Sequence, residues 1–223
     1  MPAAVLSRAT GRVTTGFSFP YVGIYANEGT NVTYSDVQEL ARGVSVNITL
    51  DSSDRNVFYA NNIEAESESG RFNGGTLGLT VDGLLQSAEA LIMGLTEGED
   101  GIEYGDGIEQ PFVGIGFITR YRSGDVTSFV PTIIRKVKFD IPGNEASTQE
   151  ENIDWQTREL NAVISRSDRE DRSWKWEGGE FATEAEAVTA LTTKFGGSAS
   201  DSSSDTPSDT PSDTPTGDDT DNP

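Results

Sequence analysis

"TLGLTVDGLLQSAEALIMGL", residues 76–95, changes period partway along. Up to Val81 the apolar residues alternate: Leu77, Leu79 and Val81 share one strand face. After Asp82-Gly83 the spacing becomes helical, with Leu84, Ala88, Leu91, Ile92 and Leu95 on one stripe and Gln86, Ser87 and Glu89 elsewhere. Asp82 is placed to cap that helix. A strand that turns at glycine into a helix is how phosphate-binding sites begin, so the turn must be tested for that chemistry. A dinucleotide fingerprint needs G-x-G-x-x-G, and a P-loop needs G-x-x-x-x-G-K-[ST]. This turn has one glycine, no lysine, and an aspartate where the anion would sit. The stretch is therefore expected to be a packing unit: a strand and the helix that braces it.

Outward from this stretch, most segments alternate with period two. Residues 17–27, 44–50, 72–81, 111–122, 127–141 and 154–166 are expected strands, and 172–178 a short one. Within 44–50, Val44, Val46, Ile48 and Leu50 fall on one face. Within 111–122, Val113, Ile115, Phe117 and Tyr121 do the same. Pro20 places the early part of 17–27 at an edge or a strand start. A second helix is expected at 184–195, where Thr183 and Glu186 have capping-box spacing and Val188, Leu191 and Phe195 form the buried stripe. A weaker helical turn is expected at Ser35–Ala41, since Asp36 and Glu39 suit a first turn. Because strands and helices do not alternate, the expected class is mainly β with flanking helices, an antiparallel sandwich or barrel.

Composition narrows the chemistry. The 223 residues carry a formal charge of −21, with no Cys and no His. Direct grip on nucleic acid requires Lys and Arg against phosphate, so this charge argues against it. Disulfides, Cys/His zinc sites and histidine-dependent triads are excluded. No signal peptide and no membrane span are expected, which points to synthesis in a cytoplasm. The last 27 residues, 197–223, hold seven Asp, no Lys or Arg and three SDTP units from Ser204 to Pro215. With nothing to bury, they are expected to form a disordered acidic tail behind a folded domain, residues 1–196.

Several clusters invite a functional reading. The loop 97–110 carries Glu97, Glu99, Asp100, Glu103, Asp106 and Glu109, but its spacing does not match a calcium loop. Three charges at Arg135, Lys136 and Lys138 are too few for a nucleic-acid footprint, so salt bridging within the chain or between subunits is expected. Trp155, Trp174 and Trp176 are expected anchors of a core or interface. The sequons at Asn31 and Asn47 carry little weight without a secretion signal. If 62–69 is extended, Glu64, Glu66 and Glu68 point to one side, either a solvated outer strand or the lining of an acidic, water-filled surface. Residues Asp51–Asn62 are polar but include Val57, Phe58 and Tyr59, which suits a loop that orders against a neighbour. No catalytic or metal-binding set is apparent, and no cofactor is expected.

The blocks "GFSFPYVGIYANEGTNVTYSDVQELARGVSVNITL" (16–50), "NVFYANNIEAESESGRFNGGTLGLTVDGLLQSAEALIMGL" (56–95), "PFVGIGFITRYRSGDVTSFVPTIIRKVKFDIPG" (111–143), "STQEENIDWQTRELNAVISR" (147–166) and "WKWEGGEFATEAEA" (174–187) resemble, in order, the major tail proteins of siphophages, the long-tailed non-contractile bacteriophages. The resemblance covers roughly residues 14–195 and is a whole-domain pattern rather than a short motif. It implies a β-sandwich whose inner sheets join across a hexameric ring into a continuous barrel. It also implies rings stacked into a tube in the virion, with the tape-measure protein inside and the tail terminator and distal tail or baseplate proteins at the ends. DNA would pass through the lumen without specific binding. On that footing Glu64, Glu66 and Glu68 are the expected lumen lining, and Val57, Phe58 and Tyr59 the expected inter-ring loop. Two alternatives remain open from the residues: another virion structural protein, such as a tail terminator or capsid decoration protein, and a carboxylate-based enzyme such as a glycosidase.

Overall fold

The computed structural model describes residues 11–52, 56–60, 63–68, 71–98, 100–143 and 156–196, with the backbone alone at 56–60 and 63–68. Ten strands and two helices follow in the order β1 (Val13–Glu28), β2 (Asn31–Glu39), β3 (Gly43–Ser52), β4 (Asn56–Ala60), β5 (Ile63–Glu68), β6 (Phe72–Val81), α1 (Gln86–Met93), β7 (Val113–Ser123), β8 (Val126–Phe139), β9 (Arg158–Ile164), β10 (Lys175–Glu177) and α2 (Glu184–Phe195). All pairings are antiparallel. One sheet runs β2-β1-β7-β8-β9-β6-β3, with β10 paired to the middle of β8, and β4-β5 forms a separate ladder. The mainly-β expectation therefore holds.

The sheet has two covered faces, and β7 shows why. Its sequence "VGIGFI" sends Val113, Ile115 and Phe117 into one core, where they meet Val22, Leu77, Leu79, Val81, Ile134, Val137, Phe139, Leu160, Ala162 and Ile164. Helix α1 adds Ala88, Ile92 and Met93 to that core. On the other face stand Gly114, Gly116 and Ile118. A Cβ at Gly116 would lie 2.3 Å from the Phe195 ring and 2.8 Å from Leu191; one at Gly114 would lie 2.4 Å from the Tyr34 ring. The two glycines thus open a groove in the sheet, and α2 fills it with Ala187, Leu191 and Phe195. Val188 packs there partly buried. The expected capping box is formed: Glu186 N donates to Thr183 Oγ1, and Thr183 N donates to Glu186 Oε2 at 3.2 Å.

Two expectations are corrected, and the one made at Pro20 is met. Ser35–Ala41 is not a helical turn. Residues through Glu39 belong to β2, where Val32↔Asn27, Tyr34↔Tyr25 and Gln38↔Val22 pair with β1. The ladder hydrogen bonds and the burial of Tyr34 outweigh the weak local preference of Ser35 and Asp36. Pro20 lies inside β1, at a register irregularity between Ser18 and Tyr21. Its missing N–H costs no ladder bond there, and its carbonyl accepts from Leu40 N at 2.7 Å. Before this point β1 pairs only with β7, so its early part does have one free side.

The second correction concerns α1. It starts at Gln86, capped by the extended backbone of Leu85 without a side-chain bond. Asp82 does not cap it, because the carboxylate accepts from Arg42 N at 3.1 Å and forms an ion pair with the Arg42 guanidinium. Leu84 and Leu95 flank the helix as partly buried residues. Within it, Ala88 and Ile92 are buried as expected, Leu91 is only half-buried, and Ala90 and Met93 complete the buried side.

Candidate assembly surface

The β3–β6 hairpin does not end where the sheet ends. Its register runs from Gly43↔Val81 to Ser52↔Phe72, and the β4–β5 ladder resumes it at Asn56↔Glu68. The described strands between Ser52 and Phe72, β4 and β5, thus form an arm that keeps the pairing register of the sheet's last hairpin. Two features set the arm's root. The register slips between Asp51 and Ser52, opposite Gly74 at φ +128, a conformation that favours glycine. Phe72 is held from outside: its ring stacks on Trp174 at 4.9 Å and 7°, and Arg166 donates through Nε (3.0 Å) and Nη2 to its carbonyl. Trp174 therefore serves as an anchor, as expected of the tryptophans, while Trp155 lies outside the described residues.

Val57, Phe58 and Tyr59 belong to strand β4, not to a loop, and only residues 53–55, 61 and 62 of Asp51–Asn62 lie outside the described residues. Glu64, Glu66 and Glu68 do lie on a strand. Their strict alternation is interrupted, however. Glu68 and Glu66 pair with Asn56 and Phe58, but Glu64 pairs with Tyr59, leaving Ala65 as an extra residue. The interruption is a bulge, which hydrophobic alternation cannot reveal because it follows from the partner strand.

Next to the arm, β3 pairs on one side only, with β6. Val46 and Ile48 reach the core, whereas Val44 and Leu50 are 53% and 47% exposed. An edge strand with exposed apolar residues and unpaired backbone groups is a template for another strand. β2 closes the opposite end of the sheet and is likewise paired on one side.

The remaining candidates resolve into internal contacts. Beside Asp82-Gly83 is an open groove of about 550 Å³ lined by Glu39, Leu40, Ala41, Arg42, Leu84 and Leu85. Burial, and then the nearby Asp82, raise the Glu39 carboxyl above its ordinary value. Such a groove disfavours a phosphate. In the 97–110 loop, Tyr104 donates to Glu89 Oε1 at 2.6 Å, and Arg158 grips the same carboxylate with two bonds of 3.0 and 2.6 Å. Burial, then this acidic partner, pushes Tyr104 up to about 12. The loop is thereby tied to α1 and β9. Among the described residues, no group of three or more acidic side chains is placed to hold a metal ion, and no helix is long and apolar enough to cross a membrane.

The basic cluster divides. Lys136 Nζ pairs with Asp168 Oδ2 at 2.7 Å between the rings of Tyr25 and Phe112, the salt bridge expected of it. This bond, then that from Tyr25 Oη at 2.9 Å, holds Asp168 below the ordinary carboxylate value. Arg135 is buried and Lys138 exposed. Strict alternation would put Arg135 and Val137 on one face, but β8 carries an extra residue relative to β7 between Ile134 and Val137, so Ile134 and Val137 both enter the core.

The Phe72–Trp174–Arg166 clamp and the Glu89–Arg158–Tyr104 network were not foreseen from sequence. Their partners lie far apart along the chain, and the only local signal was aromatic residues in otherwise polar segments. Searches against protein-family models and against curated protein sequences find no match for this chain.

Proposed function

We propose that this protein is a structural subunit of a phage tail tube, built as hexameric rings that stack and conduct DNA during ejection. The observation that carries the proposal is the unfinished end of the sheet: β3 is an open edge with exposed Val44 and Leu50, and the β4–β5 arm follows it in the chain in the same pairing register. In an isolated monomer this is a hazard; in a ring it is a joint. The order of sequence blocks resembling siphophage major tail proteins supports the same assignment. Within it, β3 and β2 are the edges through which neighbouring subunits extend the sheet, and the arm, carrying Val57, Phe58 and Tyr59, meets the adjacent ring.

The carboxylates of Glu64, Glu66 and Glu68 face the lumen in this proposal. Three per subunit would place roughly 18 around each ring, a field that repels DNA phosphates and lets the genome slide. The bulge at Ala65 makes Glu66 and Glu68 the firmer pair, since these two keep the period-two spacing. The tape-measure protein would occupy the lumen before ejection, and the terminator and distal tail proteins would close the tube. Negative-stain microscopy of the concentrated protein is the test. Long tubes of stacked rings are expected; a protein that stays monomeric, or forms closed shells or single rings only, would exclude a tube subunit and favour a terminator or decoration protein.

A further inference from the structure

Three of the large apolar side chains that the domain leaves exposed gather in one place. Phe112, Ile141 and Val163 are 39%, 61% and 48% exposed. Together with the buried Phe139 they line an open groove of about 600 Å³, at the start of β7 and the ends of β8 and β9, rimmed by Lys138 and Asp140. Lys138 Nζ stands 5.7 Å from the centre of the Phe112 ring, and this ammonium makes no ion pair among the described residues. Lys136 Nζ lies 4.6 Å from the same ring but is already paired with Asp168. Apolar side chains gathered in a concave, polar-rimmed patch mark a place where something docks. In a chain of formal charge −21, an ammonium without a carboxylate beside them states the sign of the occupant.

The chain's own acidic segment is rooted nearby. Phe195, the last residue of α2, packs edge-on against Tyr34 at 4.9 Å, and Tyr34 against Tyr25 at 5.9 Å. Tyr25 N then donates to the Phe112 carbonyl at 2.8 Å. Four residues in successive contact thus lead from the end of the helix to the groove. The first of the three SDTP units begins at Ser204, eight residues beyond Gly196. Eight extended residues span about 26 Å, enough to follow this relay. Tethering at such a distance gives the units an effective concentration on the order of millimolar.

The chemistry of a unit matches the groove. Pro207, Pro211 and Pro215 each follow a Thr, and the residue before a proline is biased to extended backbone. Residues two apart in an extended chain point to the same side. Each unit therefore offers a carboxylate and a proline ring together. Proline segments dock on aromatic-lined grooves at low entropic cost. Asp140 on the rim repels a carboxylate placed beside it, which directs the Asp of a unit to Lys138.

We propose that this groove is a docking site for the SDTP units of the same chain, with the Asp paired to Lys138 and the Pro packed on Phe112, Ile141 and Val163. The site does not depend on tube formation. Any of the three units can fill it, so the acidic segment is a ligand of its own domain that exchanges between equivalent positions.

The test uses the full chain, which has no cysteine, so Thr216→Cys provides a single position for a nitroxide label just after the last unit. At low ionic strength, paramagnetic broadening should concentrate on the amides of Phe112, Lys138, Ile141 and Val163. It should lose most of its amplitude at 1 M salt, where the screening length is about 3 Å. Lys138→Gln and Val163→Ser change exposed side chains and should each reduce it severalfold. Two further chains leave the domain untouched: one with Asp205, Asp209 and Asp213 changed to Asn, the other with Pro207, Pro211 and Pro215 changed to Ala. Each should also reduce it severalfold. Broadening spread evenly over the surface would overturn the proposal, as would broadening that survives in either of these two chains; survival in the Pro→Ala chain alone would mean long-range attraction without docking. Broadening seen only when labelled protein is mixed with a second, isotope-enriched copy would overturn it in favour of a neighbouring copy's segment as the occupant.

Discussion

The α2 face and the β3 edge belong to one sheet but are finished to different degrees. At α2 every component has its partner within the chain: two glycines open a groove, Leu191 and Phe195 fill it, and Thr183 and Glu186 cap the helix. At β3 one side of the strand is unpaired, Val44 and Leu50 are exposed, and the β4–β5 ladder follows in the chain, with Trp174 and Arg166 holding Phe72 at its root. On the proposed reading, the first region sets the stability of the domain, whereas the second contributes less to it and is the surface offered to another copy. Substitutions should therefore separate folding from assembly according to the side they touch.

The largest effect is expected at the buried side of α1. Ile92→Asp places a carboxylate in the core with no partner and should leave no folded protein by circular dichroism at 25 °C. Half-buried Leu91 is the less sensitive of the two, so Leu91→Asp should retain folded protein where Ile92→Asp does not. Next, Phe195→Ala empties the glycine groove and should lower unfolding free energy by about 4 kcal/mol in urea titration, with assembly lost only as a consequence.

A smaller effect is expected at the Lys136–Asp168 pair, which is partly exposed. Asp168→Asn should cost about 1 kcal/mol at pH 7. Because Asp168 is held below its ordinary value, its contribution is fully present above about pH 3.9 and is lost as pH falls through the depressed folded value. The gap between wild type and Asp168→Asn should therefore narrow in acid. The smallest effect on stability is expected on the β3 edge. Leu50→Lys should change it by no more than about 0.5 kcal/mol while preventing self-association by sedimentation. A Leu50→Lys protein that assembles normally would erase the contrast between the two regions.

What was legible in the sequence follows the same division. Alternation located the strands of the large sheet other than β2, because burial on one face imposes a period on each strand by itself. The capping box of α2 was legible because both halves lie within four residues. The groove that receives α2 was present as "VGIGFI", but its meaning requires knowing that the alternate face is also covered. The start of α1 was misplaced because Asp82 has two possible partners, and Arg42, forty residues away, takes it. The bulges at Ala65 and at Arg135–Lys136 are properties of strand pairs, so neither strand alone carries a signal for them. The same holds for the burial of Arg135, which looked like one of three equivalent basic residues.

Hydrogen exchange measured across a concentration series tests the central claim most directly. If the open end of the sheet is the joint between copies, backbone amides of residues 43–52 and 56–68 should gain protection as the protein associates, while those of β7, already paired on both sides, should not change. Association without added protection in 43–52 and 56–68, or protection arising first on the α2 face, would contradict it.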